Sequence, residues 1–215
     1  MHEICPISGE SVKEEIFNHR THLIGFFFSL IGFPILIVHS CLNGDAWQIA
    51  GYTVYGATLM LLYLASTYYH GCQKPHRKQT LKIIDHACIY LLIAGSYTPF
   101  TLGPLRETTG WTLLGIEWSI AVVGILFKIF TINRFQMLSL ITYLLMGWLV
   151  VVCWATLMEA LSPTAIALLC FGGLCYTLGA AFFMWESLPY NHGIWHVFVL
   201  GGSISHYFAI LLLLA

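Results

Sequence analysis

The chain has 215 residues, of which 58% are hydrophobic, 15% aromatic and only 9% charged. An ordinary soluble domain is roughly 25% charged, so a soluble fold of this size could not cover its surface with the charge present. The same numbers exclude secreted disulfide scaffolds, nucleic-acid binders and disordered regulators, and they leave an integral membrane protein. The formal net charge is −1, and the 10 histidines equal Asp and Glu together. Imidazole in hydrocarbon is costly and marks partners or function.

In chain order, the N-terminal string MHEICPISGESVKEE lacks a basic stretch followed by an apolar core, so no cleavable signal peptide is expected. Ser11-x-x-Glu14 has capping-box spacing ahead of Ile16 and Phe17, and a short interfacial helix is expected there. Apolar runs then alternate with short polar breaks: Leu23–Leu42, Trp47–Tyr69, Leu81–Leu102, Trp111–Ile132, Phe135–Leu157, Thr164–Trp185 and His192–Leu214. Each has about 20–24 residues, enough at 1.5 Å rise to cross roughly 30 Å of hydrocarbon. Their apolarity is continuous rather than alternating, which predicts helices and not a barrel. The expectation is an all-α, seven-transmembrane-helix bundle over residues 22–215, preceded by a cytoplasmic segment over 1–21.

Pro34 and Pro99 are expected to kink or end their helices. The seven cysteines (Cys5, Cys41, Cys72, Cys88, Cys153, Cys170 and Cys175) show no CxxC pairing and read as buried free thiols. Gly172, Gly173, Gly179, Gly201 and Gly202 are expected to let helices pack closely. Eight of the nine basic residues (Lys13, Arg20, Lys74, Arg77, Lys78, Lys82, Lys128 and Arg134) fall on one side of the spans, and only Arg106 on the other. The positive-inside rule then puts the N-terminus in the cytoplasm and the C-terminus outside.

Three short strings carry candidate chemistry. His192 and His196 open span seven at i, i+4, a spacing that lets both imidazoles reach one metal. A chain this rich in histidine holds such a pair about half the time by chance, so position has to add weight. His70 ends span two, with Ser66 one turn deeper on the same face; an isolated histidine there would simply snorkel to water. Asp85 starts span three, where the bland alternatives are dipole complementation or pairing with Lys82. His86 is a rival ligand. The orientation nevertheless puts His70, Asp85, His192 and His196 at one membrane face and similar depth. Three imidazoles with an open position make a catalytic zinc site. His206, Glu117 and His39 read better as partners in interhelical hydrogen bonds.

Several strings carry a resemblance: LASTYYH (64–70), IDHACIYLLIAGSYTPF (84–100), ITYLLMGW (141–148), PYNHGIWHVFVLGGSISH (189–206) and EEIFN with Thr21-His22. Together they closely resemble the bacterial hemolysin III proteins, which belong with the progestin and adipoQ receptor family that includes the adiponectin receptors. The resemblance covers nearly the whole chain. It implies a seven-helix fold with Zn²⁺ near the cytoplasmic face, and it carries the family pattern onto Ser66, His70, Asp85, His192 and His196. In the wider superfamily, with the alkaline ceramidases, zinc-activated water attacks a lipid amide. Haemolysis gives the family its name, and membrane homeostasis is its proposed role. The long cytoplasmic N-terminal region of the animal receptors is missing, so adaptor signalling does not carry over.

The expected function is therefore a zinc-dependent lipid amide or ester hydrolase-like site in a multi-pass bacterial inner-membrane protein. His70, His192 and His196 would hold the metal, with Asp85 as general base and Ser66 orienting the site. Membrane lipids are the expected ligand or substrate, and neither nucleic acid nor an obligate protein partner is implied. The competitors are a non-enzymatic regulator with structural zinc, and a pore. The pore ranks last because the spans lack rings of charge.

Overall fold

The computed structural model describes residues 4–132 and 134–214; residues 1–3 of the expected N-terminal segment, with 133 and 215, lie outside them. Seven helices are long and apolar enough to cross a membrane: α1 (Val12–Asn43), α2 (Ala46–Gly71), α3 (Pro75–Leu102), α4 (Arg106–Thr131), α5 (Gln136–Ala160), α6 (Pro163–Met184) and α7 (Asn191–Leu214). Helix α1 packs on α2, α2 on α3 and α3 on α4, while α6 pairs with α7 and α7 closes the ring onto α1. Helix α5 sits more loosely against α3, α4 and α6.

Helix starts follow local chemistry. Ser11 caps α1 by accepting from the Glu14 amide while the Glu14 side chain accepts from the Ser11 amide, as the spacing predicts. Asp45 and Gln48 build the equivalent box at α2. Helix α1 then runs unbroken through Glu15, Asn18, Thr21 and His22, all of them buried. These polar residues precede the apolar run but bury against protein, so the helix extends beyond the stretch hydropathy marks.

Neither proline ends its helix on the spot: α1 continues through Pro34 to Asn43, and α3 runs from Pro99 to Leu102. The irregular turns lie elsewhere. Helix α4 opens with a π-turn over Arg106–Gly110, where the Gly110 amide donates to Leu105 O at 2.8 Å. Helix α5 tightens to a 3₁₀ turn over Leu149–Cys153. The α-to-3₁₀ change frees backbone groups, and Tyr97 takes them up. Its hydroxyl lies 2.9 Å from both Met146 O and Gly147 O and accepts from the Val150 amide at 2.8 Å.

The core runs along α2, α3 and α7 and contains Tyr52, Tyr55, Tyr63, Leu59, Leu92 and Val199. Outward faces carry exposed Phe28, Val123, Phe130 and Val152, the surface expected against lipid. All seven cysteines are free. Cys88, Cys153 and Cys175 are buried as expected, whereas Cys41 and Cys170 are exposed on outward helix faces. Gly172, Gly179 and Gly202 meet His206, Trp195 with Phe198, and Tyr176, while Gly173 has open space.

Candidate metal centre

The C-terminus of α2 and the N-terminus of α7 bring the predicted histidines together. Antiparallel connection returns the C-terminus of α2 and the N-termini of α1, α3 and α7 to one end of the bundle. His70 and His196 are buried, and His192 is partly so. One ring nitrogen from each of His70, His192 and His196 lies within 4.8 Å of the other two. The ring centroids are 5.0 Å apart for His70–His192 and His70–His196, and 4.6 Å for His192–His196.

Two local features set the position of His192. Tyr190 adopts a left-handed conformation (φ 59°) immediately before α7. A residue with a Cβ enters this region at a cost of roughly 1–2 kcal/mol, and here its amide donates to Glu14 Oε1 at 3.0 Å. Gly193 faces the Phe17 ring and Asn18 Oδ1 so closely that a Cβ would collide with them. A glycine is what lets α7 approach α1 at this level.

The hydrogen bonds fix which nitrogen of each ring is free. His70 Nδ1 lies 2.8 Å from Glu15 Oε2, and His192 Nδ1 lies 2.5 Å from Glu10 Oε1. His196 Nδ1 lies 3.3 Å from Asn18 O and 3.2 Å from Thr21 Oγ1, whose own proton goes to Asn18 O. Carboxylates and carbonyls only accept, so each Nδ1 is the donor and each lone pair sits on Nε2. His70 Nε2 is buried with no partner among the described residues. Three rings whose nitrogens converge, each held from behind at Nδ1 by an oxygen, fit a divalent cation that accepts imidazole nitrogen.

Asp85 and Ser66 join the same region from α3 and α2. With His22, Trp195, His196 and His206 they line a cavity of about 130 Å³. Ser66 Oγ is buried and unpartnered among the described residues. A larger apolar cavity of about 430 Å³ shares Ser96, Tyr97, Gly147, Trp148, Gly173 and His206 with the first. Polar chemistry at one end of the bundle therefore opens onto an apolar interior.

His86, the rival ligand, is not in the cluster of three. Its Nδ1 lies 2.8 Å from Lys82 O and 3.8 Å from Asp85 Oδ2. His206 bonds Leu169 O at 3.3 Å, and His39 bonds Leu211 O at 3.1 Å, so both make the expected interhelical contacts. Glu117 does not: its carboxylate is fully buried, and neither oxygen has a partner among the described residues.

Three residues of the site were not predicted as such. Glu10 and Glu15 are separated from their histidines by 182 and 55 positions, and nothing in their spacing pairs them. His22 is stacked on His196, with centroids 3.5 Å apart and planes at 12°. Its only advance signal is the Thr21-His22 string.

Comparison with known proteins follows the same lines. The model of the family described as Haemolysin-III related matches residues 10–207. Hemolysin-3 of Bacillus cereus is 49% identical over 200 residues, covering 93% of this chain and 91% of that one. A hemolysin-3 homolog of Bacillus subtilis (strain 168) is 47% identical over 201 residues, 94% of each. The monocyte to macrophage differentiation factor of Homo sapiens is 31% identical over 225 aligned positions, 98% of this chain and 90% of that one. No solved structure matches. Matched over nearly its whole length, the chain belongs to the haemolysin-III-related family of integral membrane proteins.

Proposed function

We propose that this protein binds Zn²⁺ through His70, His192 and His196 and hydrolyses an amide or ester of a membrane lipid at the cytoplasmic face. One observation carries the reading: three converging imidazoles, each presenting Nε2, beside a cavity that holds Asp85 and Ser66. Three nitrogen ligands suit a catalytic site better than a structural one, which is more often closed by four ligands. The placement of Lys13, Arg20, Lys74, Arg77, Lys78, Lys82, Lys128 and Arg134 supports a cytoplasmic N-terminus and an extracytoplasmic C-terminus. The same distribution, with Bacillus relatives matched over nearly the whole chain, supports a bacterial inner membrane as its location.

When bound, zinc would supply Lewis acidity that activates water and polarises a carbonyl. The rest of the chemistry belongs to the chain. Asp85 takes the proton of the attacking water on its carboxylate and returns it to the leaving nitrogen or oxygen. Ser66 Oγ–H donates to the developing oxyanion. The apolar cavity beyond takes the hydrocarbon part of the substrate, which enters laterally between helices.

The test is turnover of lipid amides and esters by purified, zinc-loaded protein. Asp85→Ala should keep its zinc and lose about 10²–10⁴-fold in turnover, the range for a general base. Turnover that survives in Asp85→Ala overturns the mechanism. Zinc-loaded protein with no turnover on any such lipid leaves a non-enzymatic regulator, in which zinc removal would lower thermal stability and alter membrane phenotypes while no lipid product accumulates.

A further inference from the structure

The three candidate ligands come from α2 and α7, yet every oxygen that holds their Nδ1 atoms comes from residues 10–21. Glu10 holds His192, Glu15 holds His70, and Asn18 O with Thr21 Oγ1 holds His196. This stretch is itself tied down. Residues 4–11 fold back on themselves through an Ile4–Ser11 bridge, with Cys5 N donating to Glu10 O and Gly9 N to Cys5 O, each at 2.8 Å. Gly9 turns with φ 81°, a conformation glycine adopts readily. Helix α3 grips the strap from the other side. Lys82 Nζ donates to Ile7 O at 3.0 Å, and Lys78 Nζ pairs with Glu15 Oε1 at 2.9 Å.

From this geometry we infer that Glu10 and Glu15 are positioning residues for the metal ligands, and that the N-terminal strap is the clasp that retains the ion. The inference rests on the metal reading above. A carboxylate behind an imidazole fixes its tautomer, fixes the ring plane and raises the basicity of the far nitrogen. Because both carboxylates lie on one segment, metal affinity and strap docking are two sides of one equilibrium: loosening the strap releases two rings at once, and binding the ion favours the docked strap.

Glu10, Glu15 and His70 also satisfy the spacing of a metal cluster in their own right. The oxygens argue against a second ion there. Glu10 Oε1 and Oε2 are taken by His192 Nδ1 and Asn18 Nδ2, and Glu15 Oε2 by His70 Nδ1. Glu15 Oε1 accepts from Ser8 Oγ and faces the Lys78 ammonium. A cation would have to displace four donors and sit beside a buried positive charge.

The experiment is zinc affinity of the purified full chain by chelator competition, with thermal unfolding of the zinc-free form measured alongside. Glu10→Ala and Glu15→Ala should each bind zinc about 10–100-fold more weakly than wild type. Glu10→Gln, which can still accept from Nδ1–H but lacks the charge, should fall between wild type and Glu10→Ala. Lys78→Met breaks the buried ion pair yet leaves both carboxylates on their histidines. It should lower the melting temperature and, because strap docking and ion binding are linked, weaken zinc binding by less than the loss of either carboxylate does. A folded Glu10→Ala and Glu15→Ala that bind zinc like wild type overturn the inference and leave the three-histidine site standing. So do two ions per chain, the second lost in Glu10→Ala, because the carboxylates would then be ligands. A wild type that binds no zinc overturns the metal reading itself, and the positioning role with it.

Discussion

Helices α2 and α3 differ in kind from α4, α5 and α6. More than half of the 18-residue apolar stretch of α2 and of α3 is buried within the protein, 56% and 61%, against 28%, 22% and 28% in α4, α5 and α6. The buried pair carries Ser66, His70 and Asp85, whereas α4–α6 turn Val123, Val152 and Phe171 outward. In a bilayer the most apolar helix is the one with most lipid around it, because lipid cannot satisfy a polar side chain and neighbouring helices can. Ser66, His70 and Asp85 therefore sit on the two helices whose apolar character is weakest. Helices α1 and α7 combine both kinds, with polar site residues near their N-termini and lipid-facing surface further along.

Truncation at matched apolar positions breaks this comparison most directly. Leu92→Ala on α3 removes a side chain 7% exposed, while Val123→Ala on α4 removes one 66% exposed. The first should cost about 2–5 kcal/mol through the cavity it leaves, and the second under about 1 kcal/mol, as at other non-core sites. Reversible unfolding in detergent measures both. Equal losses would mean that α4 is covered by something other than lipid.

A smaller effect is expected at the opposite end of the bundle. The Arg106 guanidinium, 2.5 Å from Asp45 Oδ2, holds that exposed carboxyl below its ordinary range, and the Gln48 and Trp47 amides act in the same direction. A carboxyl lowered in the folded state stabilises at pH values above its unfolded pKa, and the contribution disappears as pH falls through the folded value. Asp45→Asn should therefore melt slightly below wild type near neutrality, with the gap closing as the pH drops below about 4. A gap independent of pH would assign the difference to the α2 cap alone.

The fold was legible because hydrocarbon imposes a long, continuous apolar run on each crossing, and α2, α6 and α7 begin and end within two residues of their runs. Helix α1 was less so. It starts at Val12 rather than near Leu23, since Glu15, Asn18, Thr21 and His22 are solvated by other helices and hydropathy cannot see that. At the site, His192 and His196 share one helix face by spacing, and charge-based orientation aligned His70 and Asp85 with them. Their carboxylate partners were invisible for a geometric reason. Glu10 meets His192 only after six intervening membrane-spanning helices, and no local pattern encodes that contact. Glu117 shows the converse: an interhelical hydrogen bond was expected on cost, and its oxygens are buried without one among the described residues.

The central claim is that His70, His192 and His196 hold a zinc ion. Elemental analysis of purified wild type beside His196→Ala, both prepared with zinc and shown to be folded, tests it most directly. The account predicts one zinc per wild-type chain and a loss of that zinc in His196→Ala. Metal-free wild type, or equal zinc in the two proteins, would contradict it.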